Sequence, residues 1–440
     1  MDLLIAFAIF LICMISSLIA GLSTVPALIA GFVAFFVTGL RRRFRPDELF
    51  RMAGKSVRES LIVLEVMAVI GFLTASWRMS GTITVFVYYG MQLITPKLFI
   101  LITFLLSSIL SYAIGTSFGV AGTVGVIFMA LARAGGVDPL ITAGTLMSGV
   151  FFGDRCSPVS SSAHLVCSIT GTNIFDNVKA MMKTGAIPFL ISLGLYAVIS
   201  VNNPIQGADS QMMEGLQEAF VISYWAFVPA ALMLVLPLFK VDVLLAMGLS
   251  IMSSVLISIF VQGQGVREVV RALIFGYEAG EGTAASILDG GGLLSMVEII
   301  IILLVSGAYS GIFEGTDMLR GVNEKISSLC AKLGRLPVTM IMGLGSAMVF
   351  CNQTIATLMV GSLMKGTYRE SGAPDEELAI DMENSVILIA CIVPWCIGCS
   401  VPLSFFGVKW GAMRYAYYMF LVPIVYLFTK RFFYGSKKHD

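Results

Sequence analysis

One acidic residue in this sequence, Asp154, lies between two long apolar runs and next to Arg155. An ionised side chain inside lipid is costly, so such groups pair, line a watery cavity or relay protons. Because either a proton or a sodium ion can neutralise a carboxylate, one site could exchange the two. We therefore predict that Asp154 binds sodium. A purely structural ion pair between Asp154 and Arg155 is the alternative.

Hydroxyl groups cluster around this aspartate in the sequence. Sodium is a hard cation and, like other hard cations, favours oxygen ligands. Pro158 lacks a backbone N–H and so frees carbonyls upstream of it. Each hydroxyl could instead bond its own helix backbone, and that alternative stays open. The candidate ligands from this part of the chain are Ser157, Ser160, Ser161, Thr116 and Ser117.

A second polar set lies late in the chain, and we predict that it faces the first. Amides satisfied by backbone carbonyls are the alternative interpretation. Its members are Asn352, Gln353, Thr354, Glu383, Asn384 and Ser385. With only two histidines, His164 and His439, a His-Glu-x-x-His zinc enzyme is excluded. The pair Cys396-x-x-Cys399 is a weak metal signal, and we expect no cofactor.

Helices that cross a membrane must position these residues. The chain has 440 residues, of which 57% are hydrophobic and only 12% charged, and its mean hydropathy is +0.91. Crossing the hydrocarbon layer takes about 20 mostly apolar residues as a helix. We predict an all-α polytopic membrane protein with roughly 11 to 13 transmembrane helices in one integral membrane domain, 1–440. The runs without ionisable residues are 3–39, 98–132, 139–153, 184–207, 219–239, 243–266, 336–364, 384–408 and 415–429.

Two small, polar segments interrupt apolar runs, at 115–125 and at 351–357. Helices should break there, and paired breaks in the two halves of a chain indicate a transporter's binding site. Close packing of small residues is the alternative. Segments 71–171 and 307–407 also align weakly at an offset of 236 residues, and their matching loops carry different numbers of basic residues. This difference suggests that the two loops lie on opposite sides of the membrane, which predicts an inverted-topology repeat. We divide the chain into an N-terminal hairpin and basic loop (1–59), a first repeat (60–201), connecting helices and a loop (202–292), a second repeat (293–429) and a basic tail (430–440).

Loop charges predict the orientation. Arginines at 41, 42, 43 and 45 form the strongest basic cluster, and the tail carries Lys437 and Lys438. The positive-inside rule places both in the cytoplasm, with the amino terminus on the same side of the cell membrane. The start of the sequence lacks the basic leader of a signal peptide, so we expect the first helix to be retained. Net charge is +1, and nothing indicates nucleic acid as a partner.

The motifs Gly115-Thr-Ser-Phe-Gly119, Gly122-Thr-Val-Gly125 and Phe152-Gly-Asp-Arg-Cys-Ser-Pro-Val-Ser160 resemble those of the NhaC-type sodium/proton antiporter family. Glu383-Asn-Ser385 and Pro394-Trp395 fit the second half of the same pattern. The resemblance covers most of 60–428. It implies a sodium-linked secondary carrier built on an inverted repeat, with sodium and protons as the exchanged ions.

This sequence departs from the antiporter pattern at several positions. Ser161, Asn352 and Asn384 stand where typical members carry Asp, and Arg155 stands for Lys. A neutral polar pocket also suits an amino acid or a small organic acid, so a sodium-coupled carrier of such solutes is the alternative to sodium/proton antiport. An intramembrane enzyme and a passive channel are disfavoured. Further predicted partners are the lipid bilayer and a second copy of the chain in a homodimer.

Overall fold

The computed structural model describes residues 2–59, 61–206, 216–217, 219–239, 241–279, 288–316 and 322–434. Across these residues the regular structure is helical, with one isolated β-bridge between Tyr277 and Gly290. The prediction of an all-α membrane protein is confirmed. The loop predicted within 202–292 is described at 277–279 and 288–292. The tail residues 435–440, including Lys437, Lys438 and His439, lie outside the described residues.

The α-helices are α1 (Asp2–Ile19), α2 (Val25–Arg41), α3 (Pro46–Glu59), α4 (Leu61–Met79), α5 (Thr82–Leu93), α6 (Phe99–Ile114), α7 (Ser117–Val120), α8 (Val126–Ala134), α9 (Pro139–Cys156), α10 (Ser161–Thr170), α11 (Ile174–Asn202), α12 (Val228–Leu238), α13 (Val243–Phe260), α14 (Val266–Phe275), α15 (Val297–Gly315), α16 (Val322–Leu333), α17 (Arg335–Phe350), α18 (Gln353–Glu370), α19 (Asp375–Asn384), α20 (Val386–Ala390), α21 (Ile397–Phe405) and α22 (Tyr417–Tyr434). A π-helical turn, Ala121–Gly125, joins α7 to α8. Short 3-10 turns precede four helices, at Pro96–Leu98, Tyr224–Phe227, Leu293–Met296 and Trp410–Tyr415.

Five helical stretches among the described residues are long and apolar enough to cross a membrane. A sixth candidate is the pair α4 and α5, bent by 63° at a break that includes Gly81. Four shorter apolar helices are α1, α2, α12 and α17. Length and composition alone thus identify fewer spans than the 11 to 13 predicted, because interrupted helices are too short to count as one continuous apolar span. The total stays a prediction. The five stretches are Pro96–Ile114, Ser117–Ala134, Ile174–Asn202, Val243–Phe260 and Leu293–Phe313.

Helices in the two halves of the chain begin and end at positions 236 residues apart; for example, one begins at Leu61 and its counterpart at Val297. This offset takes α4 onto α15 and α6 onto α17 with identical bounds, and it takes 117–134 onto the whole of α18. It also takes the first residue of α9 to the first residue of α19. The two segments therefore share one helical plan. Their opposite orientation in the membrane, and the domain limits given above, stay predictions.

Each half breaks where its small, polar residues predict a break. α6 ends at Gly115, with a φ of 74°, and the extended Thr116 begins α7. α17 ends at Cys351, with a φ of 54°, and the extended Asn352 begins α18. Glycine adopts the left-handed conformation readily, whereas a cysteine there is strained. The predicted broken helices are confirmed.

A second interruption follows in each half and touches the first. α9 gives way to α10, and α20 to α21, across short non-helical segments. In the first half, a Cβ on Gly115 would lie only 2.5 Å from the Val159 side chain. In the second half, the Ile397 amide donates to the Cys351 carbonyl at 2.8 Å. The ends of interrupted helices therefore meet inside each half, which leaves backbone polar groups and helix dipoles close together.

The segment predicted as a basic loop contains a helix. α3 fills most of it and packs against α15, which α2 also contacts. The approach is close, since a Cβ on Gly311 of α15 would lie 2.4 Å from the Met52 carbonyl oxygen. Leu49 of α3 is fully buried. The N-terminal segment is thus attached to the first helix of the second half.

Candidate functional site

Asp154 lies in the last turn of α9, and its side chain is 4% exposed. Its carboxylate oxygen Oδ2 accepts a hydrogen bond from Nε2 of Gln353 at 3.3 Å. Gln353 is the first residue of α18, and the same nitrogen donates to the Ile387 carbonyl at 3.1 Å. The structure therefore brings together two candidate residues, one from each half of the chain.

Two serines hold the end of α9. Ser160 and Ser162 donate to the backbone carbonyl of Asp154, at 2.5 and 3.0 Å, and both also interact with its carboxylate. The hydroxyl of Ser157 accepts a hydrogen bond from the Val159 amide at 3.3 Å. These hydroxyls thus stabilise the interruption after α9 and lie where they could turn towards an ion at Asp154.

Two other candidates serve as helix caps. Thr116 Oγ1 accepts a hydrogen bond from the Gly119 amide at 3.3 Å at the start of α7. Asn352 Oδ1 accepts one from the Thr354 amide at 2.8 Å at the start of α18. Such caps typically contribute about 1 kcal/mol each. Both side chains fix the breaks of the two halves and occupy equivalent positions in them.

Three candidates stay apart from the carboxylate. Ser117 is buried in α7, whereas Ser161 and Thr354 are exposed in the first turns of α10 and α18. Among the described hydrogen bonds, none joins these side chains to Asp154. Sequence position alone could not separate them from Ser160, because adjacent residues on a helix face different sides.

Arg155 is completely buried and bonds to neutral groups. Its guanidinium donates to Tyr418 OH at 2.7 Å, to Thr184 Oγ1 at 3.1 Å and to the Met181 carbonyl at 2.9 Å. It also donates to Oδ1 of Asn384. Within the described residues it forms no ion pair with Asp154, so the pairing offered as an alternative is absent. Sequence spacing gave no signal for Thr184 or Tyr418, which reach Arg155 from α11 and α22.

Glu383 is completely buried at the end of α19, and neither of its carboxylate oxygens has a hydrogen-bond partner among the described residues. The charged groups that act on it are Arg155 and Asp154. A buried ionised carboxylate without a partner is very costly, so this group calls for a proton or a cation. The neighbouring Ser385 does not donate a hydrogen bond to Glu383, because its hydroxyl donates to the Asp381 carbonyl.

Three buried charged side chains, Asp154, Arg155 and Glu383, thus lie within electrostatic range of each other. With both acids ionised, the formal charge of this set is −1. One proton or one monovalent cation restores neutrality, and a low-dielectric setting makes neutrality strongly favoured. The arrangement can therefore hold either species in turn.

A buried ionic cluster around Asp381, two residues before Glu383 on α19, was not predicted. Asp381 of α19 is completely buried and accepts hydrogen bonds from Tyr426 at 2.9 Å, from Tyr368 and from Lys430. The chain brings these partners from α18 and α22. The cluster therefore ties α19 to two other helices.

The cluster extends towards the surface through Glu377, which pairs with Lys430 at 2.7 Å and with Arg335 at 2.8 Å. One signal could have revealed it. Glu377 and Asp381 are four residues apart and so lie on one face of α19, but a partner as distant as Lys430 could not be chosen from spacing.

Metal-binding side chains are not grouped in the described part of the chain. No set of three or more His, Cys, Asp or Glu residues there could hold a metal ion. Cys396 and Cys399 are buried free thiols. His164 bonds to the Pro158 carbonyl at 3.0 Å.

The sequence model of a family described as the Na+/H+ antiporter family matches residues 2–165 and 149–430 of this chain. These two matches together span nearly all of it. Both interrupted regions and the carboxylates of Asp154 and Glu383 lie within the matched residues.

Several curated proteins are similar over most of their length. The Na+/H+ antiporter NhaC of Alkalihalophilus pseudofirmus is 26% identical over 82% of this chain and 79% of its own. The malate-2H+/Na+-lactate antiporter of Bacillus subtilis is 23% identical over 94% of this chain and 92% of its own. The arginine/ornithine antiporter ArcD of Halobacterium salinarum is 26% identical over 85% and 79%.

Proposed function

The chain belongs to the Na+/H+ antiporter family, and we propose that it exchanges sodium ions for protons at a site shared by Asp154 and Glu383. It is a multi-pass membrane transporter and not an enzyme. The observation that carries the proposed site is that the fully buried oxygens of Glu383 have no hydrogen-bond partner among the described residues, while Arg155 and Asp154 act on this group electrostatically.

Competition between the two ions is the proposed coupling. Asp154 and Glu383 carry two negative charges when ionised, and Arg155 carries one positive charge. The site therefore requires one further positive charge to become neutral. Sodium and a proton each supply this charge, and once either is bound the site is neutral and binds the other weakly. Exchange follows if the site faces one side of the membrane at a time.

Arg155 sets this charge balance. Its Nη1 and Nη2 atoms donate to Tyr418, Thr184 and Asn384, so the guanidinium is held in place without a hydrogen bond to either acid among the described residues. A lysine at this position would pair more readily with one of the two acids, because its ammonium lies on a flexible stem and is not held by several hydrogen bonds in one plane. In our proposal Arg155 is a positioning residue that keeps the site selective for one monovalent charge.

Oxygen ligands for sodium come from both halves. Asp154 and Ser160 belong to the first half, and the Gln353 side-chain oxygen and Glu383 belong to the second. Relative motion of the halves would open this site to either face, as inverted repeats do in other secondary transporters. We further propose that both termini lie in the cytoplasm, on the side of the arginine-rich α2–α3 turn.

A second candidate function is sodium-coupled exchange of a small organic acid or amino acid. One observation favours it: Asn384, where typical antiporters carry Asp, accepts a hydrogen bond from Arg155 and adds no negative charge. Two proteins to which this chain is similar are named as a malate-2H+/Na+-lactate antiporter and an arginine/ornithine antiporter, which supports this second candidate.

Proteoliposomes containing a pH-sensitive dye would test the proposal. Adding sodium to wild-type vesicles should move protons, and Asp154→Asn and Glu383→Gln should each abolish this signal. Asp176→Asn is the matched control, since Asp176 forms an exposed pair with Lys179. A folded Asp154→Asn variant with wild-type exchange would refute the site. A silent wild type that takes up an organic or amino acid with sodium would favour the second function.

A further inference from the structure

A separate polar cavity of about 410 Å3 lies at the end of α4. Its walls come from α4, the end of α8, the segment 289–296 and the end of α21. It shares no lining residue with the Asp154 site. The cavity combines charged side chains and glycine backbone, which distinguishes it from the apolar gaps between lipid-facing helices.

Two arginines line this cavity. Arg78 is only 7% exposed, yet its Nε has no hydrogen-bond partner among the described residues, and its one described hydrogen bond runs from Nη1 to the Thr74 carbonyl at 2.8 Å. Arg133 donates from Nη2 to the Phe406 carbonyl at 2.7 Å. A guanidinium offers five N–H donors, so both arginines retain donors for a ligand.

The charges in the cavity do not balance. Asp289 is the only acidic residue among its described lining residues, and its Oδ1 already accepts a hydrogen bond from the Ala279 amide at 2.7 Å. Arg78 and Arg133 against Asp289 leave a formal charge of +1. Two guanidinium groups near each other repel at low dielectric. A single negative charge placed between them would remove this imbalance.

Glycines keep the arginines accessible. A Cβ on Gly407 would lie 2.7 Å from Nη2 of Arg133, and one on Gly290 would lie 3.9 Å from Nε and Nη2 of Arg78. Without side chains there, a flat group can approach the guanidinium planes. A carboxylate matches the guanidinium fork in shape and accepts two parallel hydrogen bonds from it.

Room for the rest of a ligand lies next to this cavity. Ser295 and Ser404 also line a neighbouring cavity of about 560 Å3. That cavity reaches Pro394 of the second interruption and Ser400 of α21, and the buried hydroxyl of Ser400 has no hydrogen-bond partner among the described residues. A small organic molecule therefore has space and a free hydrogen-bonding group beyond the arginines, which a bare halide would not use.

We propose that Arg78 and Arg133 bind the carboxylate of a small monocarboxylic solute, whose remaining atoms extend past Ser404. The ligand class follows from the charge of +1, the guanidinium geometry and the adjoining space. The proposal goes beyond sodium/proton exchange and does not depend on Asp154 binding sodium.

Binding of radiolabelled L-lactate to the purified full-length protein tests this site. Lactate should bind saturably, and neither lactamide, its uncharged analogue, nor chloride should displace it at equal concentration. Arg133→Gln and Ser404→Asp should each weaken binding roughly tenfold or more, through loss of a charged hydrogen bond or added repulsion. Arg271→Gln is the control, because Arg271 forms an exposed pair with Glu278.

Asp154→Asn should retain lactate binding even if it abolishes sodium/proton exchange, which separates the two proposals. Because Arg78 is deeply buried, Arg78→Gln would affect folding as well as binding. The half-buried Arg133 is therefore the position at which binding is tested. The proposal is overturned if wild-type protein does not bind lactate, if chloride displaces it equally well, or if folded Arg133→Gln and Ser404→Asp bind it normally.

Discussion

Gln353 bonds with one side-chain nitrogen to the Asp154 carboxylate and to the Ile387 carbonyl, at 3.3 and 3.1 Å. It thereby joins a carboxylate of the first half to the backbone of the second. A cation at Asp154 would repel this amide N–H but attract the amide oxygen. Rotation of the Gln353 amide would therefore exchange a donor for a sodium ligand.

Replacing Gln353 by Leu should impair sodium binding, because it removes that oxygen and leaves the Ile387 carbonyl unpaired. We expect the sodium concentration for half-maximal exchange to rise about tenfold, the usual cost of one hydrogen bond to a charged group. Initial rates of the dye signal across a sodium series measure it. Thr354→Val, one residue away and exposed, is the control. An unchanged sodium dependence in Gln353→Leu would exclude Gln353 as a ligand.

The sequence predicted the helical class and the breaks at Gly115 and Cys351, because apolar length and small polar residues are local signals. It also indicated Asp154 and Gln353 as members of one site. It did not predict the contacts of Arg155 with Thr184 and Tyr418, since these depend on how distant helices pack. Nor could it separate Ser160, which bonds to the Asp154 carbonyl, from the exposed Ser161.

Close packing of α6 against α9 leads to a prediction about folding. A Cβ on Gly153 would lie 2.1 Å from the Ser111 carbonyl carbon, a backbone atom that cannot move aside cheaply. Gly153→Ala should therefore lower the folded yield sharply. Gly194→Ala is the matched control, because nothing lies within 4 Å of a Cβ there, and alanine should stabilise that helix slightly. Size-exclusion profiles in detergent report the yield. Equal yields would show that α6 and α9 separate easily.

Lys430 should be essential for stability, since it bonds to the buried acids Asp381 and Glu377. Lys430→Met leaves uncompensated negative charge, which typically costs about 3 kcal/mol or more. The apparent melting temperature, followed by tryptophan fluorescence, should fall clearly. Adding Asp381→Asn should recover part of the loss. Lys179→Met, which breaks an exposed pair, should change little. A Lys430→Met protein as stable as the wild type would contradict a structural role for the cluster.

The number of protons that compete with one sodium ion can be read from pH dependence. Sodium needs a deprotonated ligand, so its apparent affinity falls as pH falls through the range in which the site takes up protons. One competing proton predicts about a tenfold loss per pH unit, and two predict about a hundredfold loss. If Asp154 and Glu383 share a single proton, the slope should be one. Equilibrium sodium binding over a pH series gives the slope, and a flat response would rule out direct competition.

Asn384→Asp should change the charge balance that we propose for the site. The new carboxylate would face the Arg155 nitrogen that now donates to the Asn384 amide oxygen, and it would neutralise that arginine. Asp154 and Glu383 would then keep two uncompensated negative charges. Sodium affinity should rise at high pH, and a second ion or proton should bind in each cycle. Reversal potentials in proteoliposomes measure this stoichiometry, with Asn177→Asp, a buried amide of α11, as the control. An unaltered stoichiometry in folded Asn384→Asp would show that Arg155 does not set the charge of the site.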